Sequence, residues 1–140
     1  MNSMNAETFL DTNILIYAYD KKAPAKRDKA LLLTQADRPW AISWQVVQEF
    51  CSVALHRFPI PLDQDFLNDY LDHILTPHCK ILPSPRIFRE ALRIHHQTQY
   101  RFYDSLIVAA AIESGAKILY SEDLQHDRQI GHLRIVNPFL

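Results

Sequence analysis

The sequence predicts an α/β fold with a central, mainly parallel sheet of four to five strands covered by helices on both faces. Three observations predict it. Short, mostly apolar, β-prone runs recur along the chain; stretches of helical periodicity separate the first four of them; and the segment 105–114 is apolar almost all round, as a fully buried helix is. With 140 residues, 48% of them hydrophobic, residues 1–140 are expected to form one domain with ample material for a core.

The first strand is Thr8-Phe9-Leu10, ended by Asp11-Thr12-Asn13, all helix-capping types, before a helical turn or two over 14–19. Pro24 opens a helix over 24–36 with Ala30, Leu31 and Leu33 on one side. Trp40-Ala41-Ile42-Ser43 is the second strand. A helix over 44–56 follows, with Trp44, Val47, Cys51, Ala54 and Leu55 at helical spacing, stopped by Arg57-Phe58-Pro59-Ile60-Pro61. The next helix covers 63–74 with Phe66, Leu67, Tyr70, Leu71 and Ile74 inward, and Cys79-Lys80-Ile81-Leu82 is the third strand. Ser84 before Pro85 has the form of an N-cap and first helical residue for a helix running to about His96. Tyr103-Asp104 introduces the buried helix 105–114, with Gly115 at its C′ position. Lys117-Ile118-Leu119-Tyr120 and Leu133-Arg134-Ile135-Val136 are the fourth and fifth strands.

Composition excludes several functions. The two glycines, Gly115 and Gly131, are isolated, so neither a phosphate-cradling G-x-x-x-x-G-K-[ST] loop nor a G-x-G-x-x-G dinucleotide turn exists. Fifteen Lys plus Arg against sixteen Asp plus Glu leave a net charge of -1, so a polyanion could be held only by a local basic patch. Cys51 and Cys79 have no metal-finger spacing, and neither His95-His96 nor His78-Cys79 completes a quartet, so no zinc is assigned. A reducing, cytoplasmic setting is expected. The first residues lack a positively charged leader and the apolar run 9–19 is broken by Asp11 and Asn13, so neither a signal peptide nor a membrane span is expected.

In open α/β sheets, ligands lie beyond the carboxyl ends of the strands. Asp11 follows the first strand directly, Ser121-Glu122-Asp123 follows the fourth, Asp104 stands at the first turn of the buried helix, and Glu49 lies one turn into the helix after the second strand, beside its apolar face. Singly, each has an ordinary reading: Asp11 and Asp104 as helix-start acids, Glu49 as helix surface, Asp123 as loop. Jointly, carboxylates on one edge repel and shift one another's pKa unless a cation sits between them. Mg²⁺ and Mn²⁺ prefer such hard oxygen ligands and are often held directly by only one or two carboxylates. The chemistry expected is metal-assisted hydrolysis of a phosphodiester.

These residues, in order, resemble the PIN domain family: Phe9-Leu10-Asp11-Thr12-Asn13-Ile14-Leu15, Glu49, Tyr103-Asp104-Ser105 opening an alanine-rich buried helix, and Leu119-Tyr120-Ser121-Glu122-Asp123-Leu124. The likeness runs from Phe9 to the Ile135-Val136-Asn137-Pro138-Phe139 ending. It implies a three-layer α/β/α sandwich and, at this length, similarity to VapC-type toxins. That in turn implies a Mg²⁺- or Mn²⁺-dependent single-strand endoribonuclease, homodimeric and silenced by a cognate antitoxin protein. Asp11, Glu49, Asp104 and Asp123 fall on the family's catalytic acids, with Asp11, Asp104 and Asp123 as metal ligands. Asn13 and Ser121 fall on its orienting polar positions. Asp127 departs from the family pattern and reads equally as metal-site support or as surface.

For an RNA backbone, Arg101 is the first choice of contact because it is nearest in sequence to a proposed ligand; Lys21, Lys22, Arg57 and Arg128 are further cations. His56, Tyr100, Phe102 and Tyr103 offer rings for unpaired bases. Arg86, Arg89 and Arg93 form a stripe on one helical face, read first as solvated surface. Two other classes stand beside the ribonuclease. One is a non-catalytic PIN-like binding module, which would be expected to lose acids. The other is a receiver-type phosphoacceptor, disfavoured because Leu82 is followed by Pro83, and Tyr120 by Ser121 where a lysine is wanted.

Overall fold

The computed structural model describes residues 6–35, 37–56 and 62–140. Six strands form one sheet: β1 (Thr8–Leu10), β2 (Trp40–Ser43), β3 (Cys79–Ile81), β4 (Ile118–Tyr120), β5 (Gln129–Ile130) and β6 (Leu133–Val136), in the spatial order β3-β2-β1-β4-β6-β5. All pairings are parallel except β5 with β6. The helices are α1 (Thr12–Tyr17), α2 (Pro24–Leu33), α3 (Trp44–His56), α4 (Gln64–Tyr70), α5 (Thr76–His78), α6 (Pro85–Thr98) and α7 (Phe102–Glu113), with a π-helical turn over Leu71–Leu75. They cover both sides of the sheet, as in the expected sandwich. Within these layers α6 packs along α7, and α1 against α2 and α3.

The short strands are apolar because both faces are covered. Phe9, Leu10, Trp40, Ala41, Ile42, Leu119 and Ile135 are buried, and with Val108, Ala109, Ala110 and Ala111 of α7 they form the centre of a continuous core. Ser84 caps α6 by accepting from the Ile87 N–H at 3.2 Å, with Pro85 as first helical residue. Gly115 takes φ +81 after α7, the left-handed turn expected of it.

Several boundaries and faces differ from expectation. The sheet has six strands rather than four to five: β5 is a two-residue strand turned back on β6 through Gly131-His132. Helix α2 stops at Leu33, and Leu31 and Leu32 are exposed. Ala36 and the Arg57-to-Pro61 stop lie outside the described residues. The face of α3 turned inward is Val46, Phe50 and Ala54, so Trp44 and Leu55 are exposed. The helix expected after Asp63 is present and runs on to His78, with Leu67, Leu71 and Ile74 packed against the core and Phe66 exposed; the π-helical turn within it widens the spiral by one residue and brings Leu75 inward with Tyr70. Helix α7 starts three residues early, at Phe102, with Phe102 and Tyr103 exposed on its first turn and its buried residues beginning at Ser105.

The chain runs outward from β1 through β2 to β3, then returns to place β4 on the other side of β1. The strand order thus reverses between β1 and β4, the type of crevice where open α/β sheets hold ligands. A receiver domain has the order 2-1-3-4-5, so the observed order excludes that reading.

Candidate functional site

At the carboxyl edge of β1, the Asp11 N–H donates to the Tyr120 carbonyl at 3.0 Å, carrying the β1–β4 ladder one step past the strand. Asp11 has extended backbone and caps α1, its Oδ1 accepting from the Thr12 N–H at 2.8 Å. Its Oδ2 accepts from the Ser121 hydroxyl at 2.7 Å. The carboxylate is therefore gripped from both sides and only 8% exposed. Burial pushes its pKa from 3.8 up to about 6, against the lowering effect of the Ser121 and Thr12 bonds; the negative charges of Glu49 and Asp123 push the same way as burial.

Beyond β4, Ser121 is buried and its oxygen also accepts from the Asp123 N–H at 3.2 Å. Asn13, on the first turn of α1, donates to Asp123 Oδ2 at 3.1 Å and accepts from the Glu122 N–H at 3.3 Å. Asn13 and Ser121 thus hold the 121–123 loop to Asp11. From α3, Glu49 Oε1 accepts from the Thr12 hydroxyl at 2.6 Å and Oε2 from Gln45 Nε2 at 3.2 Å. Asp11, Glu49 and Asp123 are accordingly brought to one edge.

Asp104 is held less closely. It sits on the first turn of α7, half-buried, with the Arg101 guanidinium 3.7 Å away; Arg101 is 90% exposed. It is tied toward the other acids through Gln45, which donates at 3.1 Å to the carbonyl of the adjacent Tyr103 while also holding Glu49. Asp127 lies apart, on an exposed turn at φ +66, paired with Arg134 at 2.5 Å. Its charge is engaged there and not with Asp11.

Thr12 and Gln45, which fix both oxygens of Glu49, were not singled out in the sequence. The signals were there: Thr12 is the middle residue of Asp11-Thr12-Asn13, and Gln45 stands four before Glu49 on one helix face. Beside Gln45 opens a cavity of about 340 Å³, lined by Trp44, Leu82, Phe88, Phe102 and Tyr103 among others. Tyr100 is turned to the 125–128 loop, its hydroxyl donating to Gln125 at 3.4 Å and the Arg128 guanidinium 5.5 Å from its ring centroid.

The donor set suits a hard divalent ion. Among the described residues no basic side chain is hydrogen-bonded to the three carboxylates, which leaves oxygens of uncompensated charge around Asp11. Among the described residues, no three acidic, His or Cys side chains stand close enough to enclose an ion unaided. Mg²⁺ does not require that, since one or two direct carboxylates and bound waters satisfy it.

A family model described as "PIN domain" matches residues 8–130. A comparison with curated proteins gives no match. Among solved structures, the chain is similar to a toxin-antitoxin complex from Klebsiella pneumoniae at 20% identity and TM-score 0.67, covering 94% of this chain and 97% of that one. It is similar to VapBC2 from Rickettsia felis bound to a promoter DNA fragment, at 21% identity and TM-score 0.59, over 91% and 96% of the two chains. For VapBC-1 from nontypeable Haemophilus influenzae the values are 18% and 0.54, over 83% and 86%. At these identities the likeness is one of fold.

Proposed function

Because the chain belongs to the PIN domain family, we propose that it is a Mg²⁺- or Mn²⁺-dependent endoribonuclease acting on single-stranded RNA, the toxin of a toxin-antitoxin pair. One observation carries this reading: a buried carboxylate, Asp11, stands at the reversal of strand order with Glu49 and Asp123 as charged neighbours and, among the described residues, no cationic side chain bonded to it. Asp11, Asp104 and Asp123 are the proposed ligands and Glu49 the fourth catalytic acid. Bound by these residues, a divalent ion would supply Lewis acidity, lowering the pKa of a water and offsetting charge on the phosphodiester.

The chain's own residues do the rest. Ser121 and the Thr12 amide fix the two oxygens of Asp11, Thr12 and Gln45 fix those of Glu49, and Asn13 fixes Asp123. Such partners hold ligating carboxylates in the ionised, correctly turned state that a hard ion needs. Arg101, exposed beside Asp104, is placed to exchange that acid for an RNA phosphate. Phe102 and Tyr103 follow it on α7, exposed where an unpaired base can stack. The assignment of a cognate antitoxin rests on the fold shared with toxin-antitoxin complexes, and homodimeric state and a cytoplasmic setting belong to the same reading. No helix among the described residues is long and apolar enough to cross a membrane.

The test is cleavage of single-stranded RNA by the purified chain with Mn²⁺ present. Activity should vanish in excess chelator and fall at least ~100-fold in Asp11→Asn, since both the ligand charge and its fixed geometry are lost. Wild-type rates from Asp11→Asn, or undiminished cutting in chelator, would refute the mechanism.

A further inference from the structure

Glu122 sits between Ser121 and Asp123, yet its carboxylate is bound by residues that the acid site does not use. The Tyr17 hydroxyl donates to Oε1 at 2.6 Å, and Lys26 Nζ donates to Oε2 at 2.5 Å. Lys26 also reaches the Tyr17 oxygen at 3.3 Å, and its ammonium lies 4.8 Å from the Tyr17 ring centroid and 5.6 Å from that of Phe139. Phe139 in turn meets Tyr17 edge-on at 5.0 Å. One carboxylate therefore joins α1, α2 and the loop after β4, and Phe139 packs against the Tyr17 and Lys26 that bind it.

The charges explain why this loop needs an outside hold. Asp123 is exposed, and the like charge of Asp11 faces it across the site. Its direct restraints are two hydrogen bonds with uncharged partners, its carboxylate accepting from Asn13 and its N–H donating to Ser121. Repulsion between these carboxylates works against the position of the 121–123 loop. Lys26 opposes this from the far side by drawing on Glu122. Its side chain is 40% exposed and that of Glu122 25%, and an isolated ion pair of that exposure contributes little to global stability. The value of the contact lies in where it holds a three-residue loop.

We propose that Tyr17, Lys26 and Glu122 are positioning residues that hold the 121–123 loop in register and so set the metal affinity of the acid site, an inference resting on the metal-dependent reading above. A merely structural brace would change the melting temperature and leave metal affinity alone.

The experiment is calorimetric titration of the intact chain with Mn²⁺, well below its melting temperature, on wild type, Lys26→Met, Lys26→Arg, Glu122→Gln and Tyr17→Phe. Amide hydrogen exchange at Glu122 and Asp123 is followed on the same proteins without metal. Lys26→Met and Glu122→Gln should weaken Mn²⁺ binding about tenfold, the low end for supports of metal ligands, and accelerate exchange at both amides. Lys26→Arg should restore affinity to within about twofold and Tyr17→Phe fall between, because the charge is kept in the first and one of two bonds in the second. Wild-type affinity and exchange in both Lys26→Met and Glu122→Gln would overturn the positioning role while leaving the nuclease reading intact. A wild-type chain that binds no Mn²⁺ would instead overturn the metal reading and the affinity claim with it, and unaltered exchange in the variants would remove the loop-holding role as well.

Discussion

As the proposed metal ligand, Asp11 would meet two opposed demands, since a ligand of a hard ion has to be ionised while burial and the neighbouring charges of Glu49 and Asp123 favour its protonated form. Its pKa is raised from 3.8 to about 6, and a difference of roughly two units corresponds to ~3 kcal/mol. The folded chain holds this proton more tightly than the unfolded chain, so between about pH 4 and pH 6 the native state binds more protons and stability falls as pH rises. Above pH ~6 the whole penalty is present; below pH ~4 it is absent. Asp11→Asn in chelator should therefore melt higher than wild type at pH 7 by ~1–3 kcal/mol, discounted for altered bonds to Ser121 and Thr12, and gain nothing near pH 3.5. Mg²⁺ should raise the wild-type melting temperature at pH 7, more weakly at pH 5 where protons compete, and leave Asp11→Asn almost unmoved. Thermal melts at the three pH values decide this. An Asp11→Asn protein melting below wild type at pH 7 without metal would mean that the carboxylate is stabilised on folding, contrary to its surroundings.

Among the elements, the β5–β6 hairpin is the part most open to a direct test. Ile130 pairs with Leu133, so its loop is the two residues Gly131 and His132, with Gly131 at φ +59 and no heavy atom within 4 Å of an added Cβ. A two-residue loop with a positive φ at its first position only is the type II′ turn, which asks for glycine on backbone grounds. Gly131→Ala should cost ~1–2 kcal/mol through conformation alone, with no steric clash, while RNA cleavage stays unchanged; urea denaturation beside an activity assay checks both. The elements legible in the sequence were those carrying their own punctuation, such as Ser84-Pro85 before α6, Gly115 after α7, and apolar strands ended by Asp11 or Ser121. The hairpin was missed because Gln129-Ile130 is too short to show a period, although Gly131-His132 before an apolar run is a turn signal. The π-helical turn was missed because nothing in a helical pattern announces one extra residue, and that residue brings Leu75 fully inward beside the partly buried Ile74. In the site, Asp11, Glu49 and Asp123 were legible because each lies just past a strand or one turn into the helix that follows it. The contacts that hold them span up to 110 residues and depend on β4 lying beside β1, which local pattern does not encode.

For the whole molecule, a net charge of -1 sets how it can engage a polyanion. A general attractive field is absent, and the site itself is acidic, so under the proposed function affinity for RNA would arise from a few cations at its margin. Arg101 is the best placed because it is almost fully exposed and already pairs with Asp104, the acid next to which a phosphate would lie. Arg86 and Arg93, by contrast, are paired with Glu113 and Glu90 on α6 and α7, as a solvated face predicts. Single strands lose about 0.7 decade of affinity per decade of salt for each phosphate neutralised, so two or three contacts give a log–log slope near -2. Arg101→Gln should flatten that slope by about 0.7 and weaken binding evenly across RNA sequences, because a phosphate contact carries no base information. Measured on catalytically silent Asp11→Asn protein, the slope separates binding from cleavage. A wild-type slope steeper than about -4 would require a broad basic surface that this charge distribution does not offer, and an unchanged slope in Arg101→Gln would remove Arg101 from the RNA path.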